Sequence, residues 1–375
     1  MCRLPVSLEG KKRGSCQLTP LAGPMTSPLL HEPGAVAADG IDAGVAAHYG
    51  DPFAEQRALA LRSGIVDRSG RGVLRIAGAD RLTWLHSLTT QHLEQFGAGE
   101  SAEALVLSPN GHVEHHLALT DDGTAIWAHV EPGTVGSLLE FLTSMRFMMR
   151  VEPEDVSANY AVLSVLGPQT PAPAVAAAAD GGARIDVGFG TDLIVPRAEL
   201  ADRAALLREA GPANTALAGM WAYEALRIAA GRPRLGLDTD HRTIPHEVGW
   251  IETAVHLSKG CYRGQETVAR VHNLGHPPRR LALLHLDGSE DKLPSPGDLV
   301  HFDAATVGFS GSSARHYELG PIALGLVKRT TPVEATLEVD GIAAAQEVLV
   351  RPDAGANIQI ELKRQRGGLS GRPRE

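Results

Sequence analysis

The last quarter of the chain is the most constraining stretch. Between Leu281 and Val350 its apolar residues come only in short runs, at 281–286, 299–302, 306–309, 322–327, 335–339 and 346–350, separated mostly by Gly and Pro. Runs this short read as strands rather than core helices. Asp340-Gly341 is a hairpin turn. Strands of this kind leave costly free edges unless the sheet closes, so a small β-barrel is expected here.

Upstream the period changes repeatedly. A helix is expected over 52–61, a strand over 73–76, and then a short helix with Leu82, Leu85 and His86 on one face. His86 there reads as a bonded core or rim histidine. Residues 103–130 form an antiparallel meander with turns at Ser108-Pro109-Asn110-Gly111 and Thr120-Asp121-Asp122-Gly123. A helix bearing Val135, Leu138, Leu139 and Leu142 follows, then strands near 147–151 and 160–166 and a helix bearing Leu200, Leu206 and Leu207. This alternation defines an α+β core.

At 375 residues there is room for two or three core-forming units. The expected division is a disordered extension over 1–40, an α+β core of two intertwined lobes over 41–278, a β-barrel over 279–362 and a disordered tail over 363–375. Met25 is a plausible alternative start. A net charge of −9 excludes a general nucleic-acid binder, which needs a basic face. No apolar run reaches membrane-spanning length. Cys2, Cys16 and Cys261 cannot build a disulfide framework, so a cytoplasmic setting is expected.

Chemistry concentrates in the octet Lys259-Gly260-Cys261-Tyr262-Arg263-Gly264-Gln265-Glu266. Two glycines stand where a side chain would block close approach, and two cations stand two residues either side of the thiol. A helix opening at Gly264 would add its unpaired amides. All three features favour the thiolate. A small buried cysteine in a glycine-punctuated turn fits the same residues, and the sequence leaves the two readings open.

A helix over about 216–230 puts Met220, Glu224, Arg227 and Ile228 on one stripe. The two charges must pair with each other or with a polar ligand, because burying either alone costs several kcal/mol, roughly. Further on, Glu247 in Ile244-Pro245-His246-Glu247 can accept a paired-donor edge in bidentate fashion. Trp at position 250 rules out a zincin motif. No cysteine pair has zinc or cluster spacing, so no metal is expected.

Lys-Gly-Cys-Tyr-x-Gly-Gln-Glu resembles the signature of the YgfZ-type folate-binding proteins, relatives of the glycine-cleavage T-protein (aminomethyltransferase). The likeness extends through Glu224-Ala225-Leu226-Arg227-Ile228, Gly231-Arg232-Pro233-Arg234-Leu235-Gly236 and Ile244-Pro245-His246-Glu247 to Arg270, Arg279 and Arg280. It implies a three-lobed α+β core around a central folate channel, with the carboxy-terminal barrel.

It also implies support for iron-sulfur cluster assembly or repair in client proteins, using tetrahydrofolate. In that reading Cys261 is the functional thiol, Lys259 and Arg263 lower its pKa, and Arg227, Glu247, Tyr262 and Gln265 hold the folate. A folate-dependent aminomethyl or one-carbon transferase is the alternative. The T-protein pattern would put an Asp pair at Glu114-His115, and its Gly-Tyr-Thr-Gly-Glu segment reads Gly188-Phe189-Gly190-Thr191-Asp192 here. Both departures count against aminomethyl transfer.

Overall fold

A computed structural model describes residues 26–169, 175–176, 179–211, 215–289 and 291–352. Cys2, Cys16, Met25 and the tail 363–375 lie outside these residues. One antiparallel sheet has the strand order Ser101–Leu107, Val113–Asp121, Ala125–Val130, Gly72–Ala77, Glu152–Asp155. A second runs Ala183–Asp186, Thr191–Pro196, Tyr160–Leu166, Gly64–Asp67, Ala216–Ala218, with only its last pair parallel.

Alternation along the strands sorts residues into layers. Leu74, Leu117 and Ile126 pack under the helices Arg81–Leu88 and Val135–Ser144 through Leu85, Leu88, Leu138 and Leu142. Leu163 and Leu193 pack under Leu200, Ala204 and Leu207 of the helix Leu200–Ala210. The opposite faces meet each other through Val73, Trp127, Val162 and Ile194. Each such buried side chain contributes about 1.5–3 kcal/mol.

The carboxy-terminal strands close into a six-stranded barrel, in the order Arg279–Leu286, Gly320–Lys328, Ala305–His316, Leu299–Phe302, Leu337–Val339, Ile342–Val348. Its first strand is buried on both faces, which explains its unbroken apolar run. Ala282, Leu284 and Leu286 fill the barrel with Val300, Val327 and Val339. Leu281 and Leu283 face outward onto Ile228, Trp250 and Tyr262. The helix Met220–Ala229 joins the units, because Met220, Ala222 and Tyr223 also pack on Val66 and Leu166 of the second sheet.

Three expectations need correction. Residues 26–40 are not disordered: Pro28–His31 is a 3-10 helix, Leu29 is buried, and Ser27 donates a hydrogen bond to buried Asp67. Residues 216–218 begin no helix. They pair in parallel with Gly64–Val66, a partner far off in sequence that a local pattern cannot reveal. The strand expected at 147–151 starts at Glu152, after a turn in which Phe147 takes φ 45°.

Candidate functional site

Where the two sheets meet the Met220–Ala229 helix, charged residues replace apolar ones and a cavity of about 240 Å³ opens. At one end Arg71 Nε donates to His129 Nδ1 at 2.8 Å, which leaves the imidazole proton on Nε2, 2.8 Å from Asp192 Oδ2. Arg68 Nη1 lies 3.1 Å from the same oxygen, and Ser164 donates to Oδ1. Burial, with Arg71 adding to it, lowers the His129 pKa to about 4 and keeps the ring neutral. Burial alone would raise the Asp192 pKa, but Arg68 and His129 hold it well below the carboxylate range.

This chain of ion pairs continues along the cavity wall. Arg71 and Arg234 converge on Glu131 at 2.7 and 3.0 Å, and Arg234 also forks onto Asp42 at 2.8 and 2.9 Å. Arg227 pairs with Glu224 and, at 3.0 Å, with Asp238, and donates to the Arg232 carbonyl at 2.6 Å. Buried charges survive only when matched in this way. The pairing Glu224–Arg227 is thus internal, although Arg227 also lines the cavity.

The other end of the cavity carries its own acid. Glu103 takes an ion pair from Arg232 through Oε1, while its Oε2 faces His116, with Thr253 also stabilising the carboxylate. His116 Nε2 sits 3.5 Å from that oxygen. Behind it, His116 stacks on Trp250 with ring centroids 4.7 Å apart. Burial would raise the Glu103 pKa, but His116 and Arg232 bring it down to about 2, so it is ionised.

The octet forms a separate outer loop. Cys261 is exposed and forms no disulfide among the described residues. Lys259 turns inward: its ammonium donates to the carbonyls of His86 and Thr89 and sits 5.0 Å from the Tyr262 ring. Arg263 pairs with Glu114 at 2.9 Å and lies over Phe141. Both cations thus have partners of their own other than the thiol.

Gln265 begins the helix Gln265–Leu274, and Tyr262 is packed in the core with its hydroxyl pKa raised to about 12 by burial. Neither lines the cavity. Glu247 is fully buried, with Arg279 bound to both its oxygens at 2.8 Å and the Ile244 amide on one of them. Of the seven residues expected to act, only Arg227 reaches the cavity.

One strand connects loop and cavity. On a single face of Val113–Asp121, Glu114 holds Arg263 while His116 and Ala118 line the cavity. His115 points to the opposite side, where burial lowers its pKa to about 4. Glu103 and His116 escaped the sequence reading. The available signal was a lone charge within the apolar strand Ala102-Glu103-Ala104-Leu105-Val106-Leu107.

His86, His92 and Glu94, beneath the octet loop, have ligand atoms within 4.8 Å of one another. His86 Nδ1 accepts the Leu93 amide at 3.2 Å, which keeps the proton on Nε2 and leaves that ring without a lone pair for a cation. No described helix is long and apolar enough to cross a membrane.

These two sheets, the joining helix and the closed barrel define a T-protein-like fold. The solved aminomethyltransferase T of the glycine cleavage system from Bartonella henselae matches with a TM-score of 0.72 at 18% identity, over 85% of this chain and 94% of that one. No family model matches the chain. A chloroplast protein of Arabidopsis thaliana provisionally named a transferase is 26% identical over 76% of this chain and 71% of its own length. The mitochondrial iron-sulfur cluster assembly factor IBA57 of Mus musculus is 26% identical over 72% of this chain and 78% of its own. The tRNA-modifying protein YgfZ of Yersinia enterocolitica is 33% identical over 36% of this chain and 39% of its own, and these similarities are consistent with a YgfZ/IBA57 family of T-protein-like proteins.

Proposed function

We propose that this protein binds a reduced folate in the inter-sheet cavity and supports iron-sulfur cluster assembly or repair in other proteins, with Cys261 as its working thiol. One observation carries this reading. The strand Val113–Asp121 anchors the cysteine loop through Glu114–Arg263 and lines the cavity through His116 two residues later. Relatives named for cluster assembly, from mouse and Mycosarcoma maydis, support the cellular role.

The residues present suit a folate. Trp250 and His116 offer flat surfaces for a pterin ring, and Glu103 offers an ionised carboxylate on the cavity wall. Arg232, partly exposed, adds a cation for the anionic tail. Bound tetrahydrofolate would supply a one-carbon carrier. Aminomethyl transfer is the weaker reading, because Asp192 is taken up by Arg68 and His129 and Glu114 by Arg263.

The test is complementation of a strain lacking this protein, with an iron-sulfur enzyme as readout. Cys261→Ser is expected to fold normally and to leave that enzyme poorly active. Full restoration by the variant would remove the thiol from the proposal.

A further inference from the structure

We infer that His246 and His272 form a binding site for a divalent transition-metal ion, set apart from the inter-sheet cavity. The inference stands independently of the folate reading.

His246 belongs to the 3-10 turn Pro245–Val248 and is 2% exposed. Both its ring nitrogens are sealed from solvent, and neither has a hydrogen bond among the described residues. Burying an imidazole without partners is costly. The ring beside it is His272, in the last turn of the helix Gln265–Leu274, with centroids 6.1 Å apart and planes tilted by 38°. Val268, four residues earlier on the same face of that helix, is buried in one core with Val248. The helix therefore turns His272 toward the segment that carries His246.

The surroundings select the ligand. Among the described residues His272 is the only charged or titratable group acting on His246, so no carboxylate occupies the gap. A water would need its oxygen about 2.9 Å from a ring nitrogen, whereas a metal ion binds at roughly 2.0–2.1 Å and fits where water does not. Two imidazoles on one such ion place their ring centroids about 5–6.5 Å apart, and the observed spacing falls in that range.

Each ring binds through one nitrogen and keeps its proton on the other. Imidazole suits zinc, copper, nickel and ferrous iron, while magnesium and calcium need oxygen ligands that are lacking here. His272 is only half-buried, which lets the ion enter and lets water complete its coordination. A bound ion ties the helix that begins at Gln265, inside the cysteine octet, to a turn already anchored through Glu247 and Arg279.

Thermal melting and titration calorimetry of tag-free protein, with zinc chloride and with magnesium chloride, test this. Zinc is expected to raise the melting temperature saturably, with EDTA reversing the rise and magnesium giving none. His246→Phe and His272→Gln should each weaken zinc binding by at least roughly tenfold and shrink the thermal shift. His272→Gln changes a half-buried position, so it keeps the test open if His246→Phe folds poorly. The absence of a zinc shift in the unaltered protein, or a shift that persists at full size in either folded variant, would overturn the inference.

Discussion

Gly111 and Gly264 face each other across a contact too close for either to carry a side chain. A Cβ on Gly264 would lie 2.6 Å from the Ser108 carbonyl oxygen and 3.0 Å from the Gly111 Cα, and one on Gly111 would lie 2.7 Å from Thr267. This contact seats the cysteine loop on the turn between the strands Ser101–Leu107 and Val113–Asp121. Gly264 also takes φ 82°, in the left-handed region. Gly264→Ala should therefore cost about 2–4 kcal/mol from backbone strain and overpacking, read by urea denaturation. Gly260 meets nothing within 4 Å, so Gly260→Ala should change stability by less than about 0.5 kcal/mol.

Lys259 acts as a structural clamp. Burial lowers its ammonium pKa to about 8, and its protons go to the His86 and Thr89 carbonyls. Lys259→Met should cost about 1–3 kcal/mol by leaving those carbonyls unserved. The rate of iodoacetamide labelling at Cys261 should stay within roughly threefold, because the lysine is directed elsewhere. A much larger fall would return Lys259 to the role first expected for it.

Glu247 and Arg279 form a buried pair at the foot of the barrel, to which Asp240 adds a second carboxylate at 2.7 Å from Arg279. Removing one partner of such a pair costs about 3–5 kcal/mol. Glu247→Gln should lower stability on that scale yet keep the folate affinity of the folded protein. Lost affinity at unchanged stability would make Glu247 a ligand instead.

His246 is 2% exposed, and neither ring nitrogen has a hydrogen bond among the described residues. Burial, helped by His272, lowers its pKa from 6.5 to about 4. The unfolded chain therefore binds the proton first as pH falls, so stability is complete above about pH 6.5 and is lost progressively toward pH 4. His115 and His129 are shifted the same way and steepen this loss. His246→Phe should remove about 1–2 kcal/mol of the acid-side loss, measured as urea midpoints across that window. An unchanged slope would contradict the assignment.

Local pattern carried much of the fold. The helix Pro52–Leu61, the meander from Ser101 to Val130 and the barrel strands follow from periodicity and turn residues, which act over a few neighbours. The Ala216–Ala218 strand was hidden because it pairs with Gly64–Val66, far off in sequence. The site was less legible. Cys261 stood out by composition, but Arg68, Arg71, His129 and Asp192 come together from separate strands and loops, and only their assembly distinguishes a paired charge from one open to a ligand. Glu247 and Glu103 illustrate this: both are buried acids, but one is saturated by Arg279 away from the cavity and the other lines it beside His116 and Arg232.

The most direct test of the whole account is titration calorimetry of the purified protein with tetrahydrofolate. The account predicts saturable binding at one site per chain and a rise in melting temperature. A folded protein that gives neither binding heat nor thermal stabilisation would contradict it.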